Sequence, residues 1–96
     1  MPTYITLLRW TGHGLENIKD SPKRLDAARK AFESVGVIMK DFYMVTGRYD
    51  MVIVSEAPDD ISLARATLAI ASKGSVQTET VRAFTENEYR NIITGL

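Results

Sequence analysis

The sequence predicts an α+β fold of the ferredoxin-like type, with one four-stranded antiparallel sheet, two helices on one face and a short carboxyl-terminal helix. Three observations predict it. Apolar residues switch between the strand period of about 2 and the helix period of about 3.6 in the order β-α-β-β-α-β. Glycine, proline or capping residues mark most boundaries between these segments. The 96 residues suffice for one domain, residues 1–96, and leave no room for a second core.

The first strand and the first helix have clear sequence signals. Residues 3–10, TYITLLRW, are rich in β-branched, aromatic and aliphatic side chains and lead into Gly12-His13-Gly14, which indicates a loop. Ser21-Pro22 offers an N-cap followed by the helix position that tolerates proline. Apolar residues then recur at helical spacing until Gly36 ends the predicted helix; they are Leu25, Ala28, Phe32 and Val35.

A hairpin is predicted next. Residues 37–45 and 50–55 are apolar segments on either side of the turn Thr-Gly-Arg-Tyr at 46–49. Strict alternation along strand two divides its apolar residues into two sets, Val37, Met39, Tyr43 and Val45 against Ile38, Phe42 and Met44. In strand three, the side chains of Val52 and Val54 point to one face of the sheet, and those of Met51 and Ile53 point to the other. Both strands are therefore apolar on both faces.

The second half contains a helix, a strand and a tail helix. Pro58-Asp59-Asp60 supplies capping residues, and Gly74 is the expected end of the second helix. Ile61, Ala64, Leu68 and Ala71 line one side of this helix. Residues 75–84 are predicted to form strand four. Thr85 and Glu88 have capping-box spacing and open a short tail helix with Tyr89, Ile92 and Ile93 as its apolar residues.

Composition excludes several classes of function. Twelve basic residues balance twelve acidic ones, so we expect neither a nucleic-acid partner nor a membrane partner. The chain has no cysteine, which removes disulfides, thiolate metal sites and cysteine nucleophiles. No catalytic triad order, phosphate loop or EF-hand spacing is present, and we expect neither a metal nor a cofactor. The sequence also lacks a signal-peptide pattern and a long apolar segment, so a cytoplasmic location is expected.

The two-faced strands predict a homodimer or a higher homo-oligomer. A sheet with helices on one face should alternate apolar with polar residues, and strands two and three do not. At about 25 cal/mol per Å² of apolar surface, covering the second face is worth several kcal/mol. We expect the same sheet of a second copy to provide the cover. The alternative is that the tail helix folds back over this face within one chain.

Several blocks of the chain resemble the GYD-domain family, named for its Gly-x-Tyr-Asp signature, here Gly47-Arg48-Tyr49-Asp50. The likeness extends over nearly the whole chain and includes YITLLRWT near the start, IKDSP at 18–22, GRYDMVIV at 47–54, EAPDD at 56–60 and GSVQTETVRAF at 74–84. The resemblance implies a dimeric α/β-barrel, in which two ferredoxin-like sheets pack together. It implies no settled activity, so no catalytic residue is carried over.

The signature turn is the first candidate site. We interpret Tyr49 and Asp50 as consecutive strand residues whose side chains point to opposite faces, near the mouth of any pocket. A structural role remains open, in which Asp50 accepts hydrogen bonds from the turn and Tyr49 packs against a polar neighbour. A small organic ligand bound near this turn is the leading functional hypothesis.

Four other residues complete the candidate list. His13 is the only imidazole in the chain and is suited to general base work near neutral pH, although it lies in a predicted loop. Trp10 and Tyr43 are candidates for an aromatic wall, with core or interface packing as the alternative. Arg82 is the best anion partner on the sheet if its face borders a pocket; if that face points outward, Arg82 is an edge-strand charge that discourages unwanted pairing. Outside this list, Lys19 and Arg24 bracket the first helix start, where an anion can also dock; the alternative is a capped, solvated helix entry.

The sequence thus leaves three functional hypotheses open. The first is a small homo-oligomer that binds a small organic molecule near the turn. The second is a cofactor-independent enzyme of the monooxygenase or isomerase type. In this enzyme, His13, Tyr43, Tyr49 or Asp50 would polarise the substrate and Arg82 would hold an anionic group. The third is a purely structural assembly module.

Overall fold

The computed structural model describes residues 1–96 and confirms the predicted α+β fold. Four antiparallel strands form one sheet in the order β2-β3-β1-β4, which is the ferredoxin-like order. The strands are β1 (Thr3–Trp10), β2 (Ile38–Met44), β3 (Met51–Glu56) and β4 (Val76–Ala83). The helices are α1 (Gly12–Glu16), α2 (Ser21–Ser34), α3 (Asp60–Ala71) and α4 (Glu86–Thr94), with a 3-10 turn over Ile18–Asp20. None of these helices has the length and apolar character needed to cross a lipid bilayer.

The core lies between one face of the sheet and the helices α2 and α3. Every second residue of the two central strands points into it, including Tyr4 and Leu8 of β1. The helices contribute Phe32, Leu63, Ala66 and Ile70, and Phe32 is completely buried. Burial of these side chains stabilises the arrangement and fixes both main helices on the same side of the sheet.

The predicted Gly12-His13-Gly14 loop is a short helix, α1, and that prediction was wrong. Thr11 caps this helix by accepting a hydrogen bond from the Gly14 N–H at 3.1 Å. A Cβ atom on Gly14 would lie only 2.2 Å from the carbonyl oxygen of Ser75. Gly14 is therefore required because α1 packs backbone to backbone against the residue before β4, and not because the segment is a flexible breaker.

The start of α2 also differs from the prediction. Pro22 lies in the first turn as expected, but Ser21 is already helical. Asp20 occupies the N-cap position, and its side chain makes no capping hydrogen bond. The preceding 3-10 turn explains the difference, because it delivers the chain to Ser21 already in a helical conformation.

A β-bulge in β2 corrects the predicted division of its side chains. The register shifts between Met39 and Asp41, so that Lys40 is an extra residue opposite β3. The shift moves Phe42 to the helix side with Met39, while Tyr43 faces away from the helices and is 58% exposed. Simple alternation had placed Met39 and Tyr43 on the same face of the sheet. It fails because, beyond the bulge, each residue of β2 points to the face opposite to the one that alternation assigns.

The apolar residues of α3 that the sequence grouped together are not the ones that face the sheet. Ile61 is 64% exposed and Leu68 is 68% exposed, while the inward side consists of Leu63, Ala66 and Ile70. The helix carries apolar residues at helical spacing on two sides, so periodicity alone does not identify the packed side. The N-cap prediction is confirmed, since the Asp59 side chain accepts a hydrogen bond from the Ser62 N–H at 2.8 Å.

The tail helix α4 does not cover the second face of the sheet. The predicted capping box is present, with Thr85 and Glu88 bonded reciprocally. However, α4 contains no buried residue, and its apolar side chains Tyr89, Ile92 and Ile93 are about half exposed. Within one chain, the face of the sheet opposite α2 and α3 stays uncovered.

Candidate functional site

We call the uncovered side of the sheet the open face. It carries apolar side chains from all four strands, which the strand registers place opposite the buried positions. These residues are Ile5, Leu7, Ile38, Tyr43, Val52, Val54 and Val81, and none of them is fully buried. The open face therefore matches the predicted apolar second face, with its composition in β2 changed by the bulge.

The signature turn connects β2 to β3 at one end of this face. Gly47 has a φ of +106°, which glycine adopts without strain. Tyr49 and Asp50 precede β3, so the prediction that they are strand residues was wrong by one or two positions. The Asp50 carboxylate accepts a hydrogen bond from the Trp10 backbone N–H at 3.0 Å, and the Asp50 N–H donates to the Leu8 carbonyl at 2.9 Å. Asp50 therefore fixes the turn against the end of β1.

Tyr49 lies over the open face. Its hydroxyl donates a hydrogen bond to the Glu79 carboxylate on β4, and this bond is the main cause that raises the Tyr49 pKa above its ordinary value of 10.0. The Arg9 guanidinium lies 4.7 Å from the centre of the Tyr49 ring, and its Nε donates to the Arg48 carbonyl at 2.8 Å. The turn is thus tied across β1 to β4.

These contacts border a groove of about 160 Å³, which we call the turn groove. Arg9 and Glu79 supply one charge of each sign, and Tyr49 supplies a hydroxyl. The remaining lining residues are Leu7, Gln77 and Thr78. A polar molecule with both a donor and an acceptor matches this lining.

The structure does not bring the other sequence candidates together. Trp10 packs on the helix side of the sheet and Tyr43 lies on the open face, so they form no aromatic wall. His13 is exposed on α1. Of the residues proposed for cofactor-independent chemistry, Tyr43 and Tyr49 share the open face, whereas His13 and Arg82 lie elsewhere.

Arg82 is engaged by protein groups. Its guanidinium donates to the backbone carbonyls of Thr3 and Ala83 and stacks 4.5 Å from the centre of the Phe84 ring. It also lies 3.8 Å from the Glu88 carboxylate in the capping box of α4. Arg82 thus links the edge strand to the tail helix and does not line either described pocket.

A second pocket lies on the helix side, and the sequence reasoning missed it. Its volume is about 100 Å³, and ten of its fourteen lining residues are hydrophobic, including Trp10 and Phe42. The sequence signal was the pair Ala27 and Ala28 on α2, because small side chains opposite large aromatic ones leave space. No group of three or more His, Cys, Asp or Glu side chains is placed to hold a metal ion.

Comparison with known proteins places this geometry in context. The sequence model of the GYD domain matches residues 4–93. A Thermus thermophilus protein named "Glutamine synthetase and cystathionine beta-lyase binding protein" is 42% identical over 84 residues, which cover 86% of this chain and 88% of the relative.

Solved structures share the fold. A crystal structure of a protein from Thermus thermophilus superposes with a TM-score of 0.58 at 29% identity, covering 88% of this chain and 95% of the other. The crystal structure of FFRP-DM1 has a TM-score of 0.57 at 21% identity and covers 88% of this chain and 100% of the other. At that identity the second likeness concerns the fold alone.

Proposed function

This chain belongs to the GYD domain family, and on that premise we propose that it is a homo-oligomeric binding protein that docks on an enzyme. The observation that carries this proposal is the Thermus thermophilus relative, which is named for binding two enzymes and is 42% identical to this chain. The matched region spans most of both proteins.

The homo-oligomer in this proposal forms through the open face. Two copies packed sheet to sheet, as a dimeric α/β-barrel, would remove the apolar residues of both open faces from water. Two polar pairs at the edges of this face are already formed within the chain, Tyr49 with Glu79 and Lys40 with Glu56 at 3.4 Å. Asp41 of the edge strand lies on the same face and makes no ion pair within the chain, so it would stay at the solvated rim of the interface.

The enzyme would dock on the outer side of α3. We call the residues Ile61, Ala64, Leu68 and Ala71 the docking stripe. Ile61 and Leu68 are two turns apart on the side of α3 that faces away from the sheet, and both are about two-thirds exposed. Because the stripe points away from the open face, a pair of chains would leave it accessible. An exposed apolar helix side is a common way to fill a groove on a partner protein.

The test uses purified glutamine synthetase and cystathionine beta-lyase from the organism that encodes this chain. Binding to each enzyme is measured by biolayer interferometry for the wild type, Leu68→Asp and the control Leu15→Asp, which changes an exposed leucine on α1. We expect the wild type to bind at least one enzyme and Leu68→Asp to weaken that binding about tenfold or more, because a charge replaces a central apolar contact. The control should bind as the wild type does.

Two outcomes contradict the proposal. If the wild type binds neither enzyme, the proposed partner class is wrong. If Leu15→Asp and Leu68→Asp bind equally well, the docking stripe is wrong. Circular dichroism of both variants verifies that they are folded.

The turn groove favours a second candidate, a small polar ligand near the Gly-x-Tyr-Asp turn. Its opposed Arg9 and Glu79 charges suit a molecule that carries both signs. Tyr49→Phe removes the hydroxyl and keeps the ring beside Arg9, while Tyr43→Phe is the matched control on the same face. In a thermal-shift screen of metabolites, we expect a compound that stabilises the wild type and the control and not Tyr49→Phe. Equal shifts for all three proteins, or no stabilising compound, would rule out this site.

A cytoplasmic location remains a prediction of the sequence.

A further inference from the structure

We propose that the pocket between α2, α3 and the sheet is a binding site for a small carboxylate with an apolar aromatic or branched tail. This site is separate from the docking stripe, from the open face and from the turn groove, and it goes beyond the function proposed above. We call it the helix-side pocket.

The walls of the helix-side pocket select an apolar group. Trp10 and Phe42 come from the sheet, Leu25 from α2 and Ile70 from α3, so three different elements enclose the space. At about 100 Å³, its volume is comparable with the cavity of about 150 Å³ that holds a benzene ring in another protein. One ring or one branched aliphatic group is therefore the size of tail that fits.

The rim selects a negative charge. Arg24 and Lys73 are the only charged residues that line the pocket, and both are cationic. Arg24 is held in place by two hydrogen bonds, from Nη1 to the Asn17 carbonyl at 2.8 Å and from Nη2 to the Gly14 carbonyl at 3.2 Å. Its guanidinium keeps further N–H groups for a ligand, because five donors are present and these bonds use two.

Lys73 supplies the second charge without a competing partner. Its ammonium group makes no ion pair with any carboxylate of the chain. Two cations beside an apolar cavity, with no acid in the lining, match an anionic head on an apolar tail. A cationic ligand of the same shape would be repelled by these groups, and an uncharged one would gain no ion-pair attraction from them.

Trp10 makes the site measurable, because it is the only tryptophan in the chain and it lines the pocket. Its indole N–H is buried and has no hydrogen-bond acceptor. Its fluorescence and its single indole cross-peak in a proton–nitrogen correlation spectrum therefore report directly on occupancy of this pocket.

The experiment compares three probes that share one ring and differ in charge: phenylacetate, phenylacetamide and phenethylamine. Each is titrated into the full-length protein up to about 10 mM, a range that suits a ligand of about ten heavy atoms. We expect the Trp10 signals to move with phenylacetate at the lowest concentration, with phenylacetamide only at higher concentration, and with phenethylamine least.

Substitutions inside and outside the helix-side pocket test whether the probes bind there. Lys73→Gln should weaken phenylacetate binding about fivefold or more and leave phenylacetamide binding unchanged, whereas Lys30→Gln, an exposed lysine on α2 outside the pocket, should change neither. Ala28→Leu should fill the cavity and abolish binding of all three probes. A thermal melt of each variant establishes that it is folded.

The proposal is overturned if no probe moves the Trp10 signals of the wild type, or if the three probes bind equally. It is also overturned if Lys73→Gln and Lys30→Gln give the same affinity for phenylacetate. None of these results depends on enzyme docking or on assembly, so a failure here is distinguishable from a failure of the proposed function.

Discussion

Single residues determine how closely the segments of this small chain approach one another. Gly14 allows the backbone of α1 to lie in direct contact with the backbone of Ser75, the residue before β4. Next to this contact, the Thr11 N–H donates a hydrogen bond to the Ser75 carbonyl at 3.0 Å. Asp50 ties the signature turn to β1 in a comparable way. Both residues were noticed in the sequence, but their partners lie far away along the chain, and local patterns do not identify such partners.

Gly14→Ala is predicted to destabilise the protein, because the added methyl group would overlap the Ser75 carbonyl. We expect a loss on the order of 1–3 kcal/mol in the free energy of unfolding, as for other overpacked sites. Gly12→Ala is the matched control, since nothing lies within 4 Å of its added Cβ, and it should be neutral or slightly stabilising. Urea unfolding curves of the two variants measure the difference. Equal stabilities would show that the close approach at Gly14 is wrong.

At the scale of elements, the sequence predicted which segments are helices and strands but not always which side packs. The strands β1 and β4 and the tail helix were placed within one or two residues, because capping and turn residues mark their ends. The packed side of α3 was missed because two apolar sides compete, and the side chains of β2 were misassigned because a bulge leaves no clear sequence signal. The helix-side pocket was missed for a related reason: it depends on which α2 and sheet residues meet.

The cap of α3 predicts a pH dependence of stability. The backbone hydrogen bond from Ser62 holds the Asp59 pKa below its ordinary value of 3.8. Because the folded pKa lies below the unfolded one, the ionised cap stabilises the fold above about pH 3.8, and this stabilisation is lost as the pH falls through the folded pKa.

Asp59→Asn retains a capping oxygen and removes the charge. We expect its melting temperature to lie below that of the wild type near pH 7 and the gap to narrow as the pH falls below about 3.8, the unfolded pKa, toward the lower folded pKa. Thermal unfolding followed by circular dichroism at a series of pH values measures the gap. Glu88, whose pKa is also lowered, is present in both proteins and cancels in the comparison. A gap that stays constant over this range would contradict the role of the ionised cap.

For the whole molecule, the main consequence of the fold is that one layer of helices covers a sheet that is apolar on both faces. The sequence predicted a sheet that is apolar on both faces, but it did not identify every residue on each face. In the structure both faces are still apolar, although the bulge changes which residues of β2 lie on each. The exposure of α4 removes the alternative cover within one chain. A second copy packed on the open face, as proposed above, would bury the uncovered residues of both chains.

Multi-angle light scattering at micromolar concentration tests this claim most directly. The wild type should have a mass of at least twice the 10.7 kDa of one chain. Val52→Asp, which places a charge at the centre of the open face, should reduce that mass to a single chain, while the control Ile61→Asp on the docking stripe should retain the larger mass. A wild type that elutes only as a 10.7 kDa species would contradict the account.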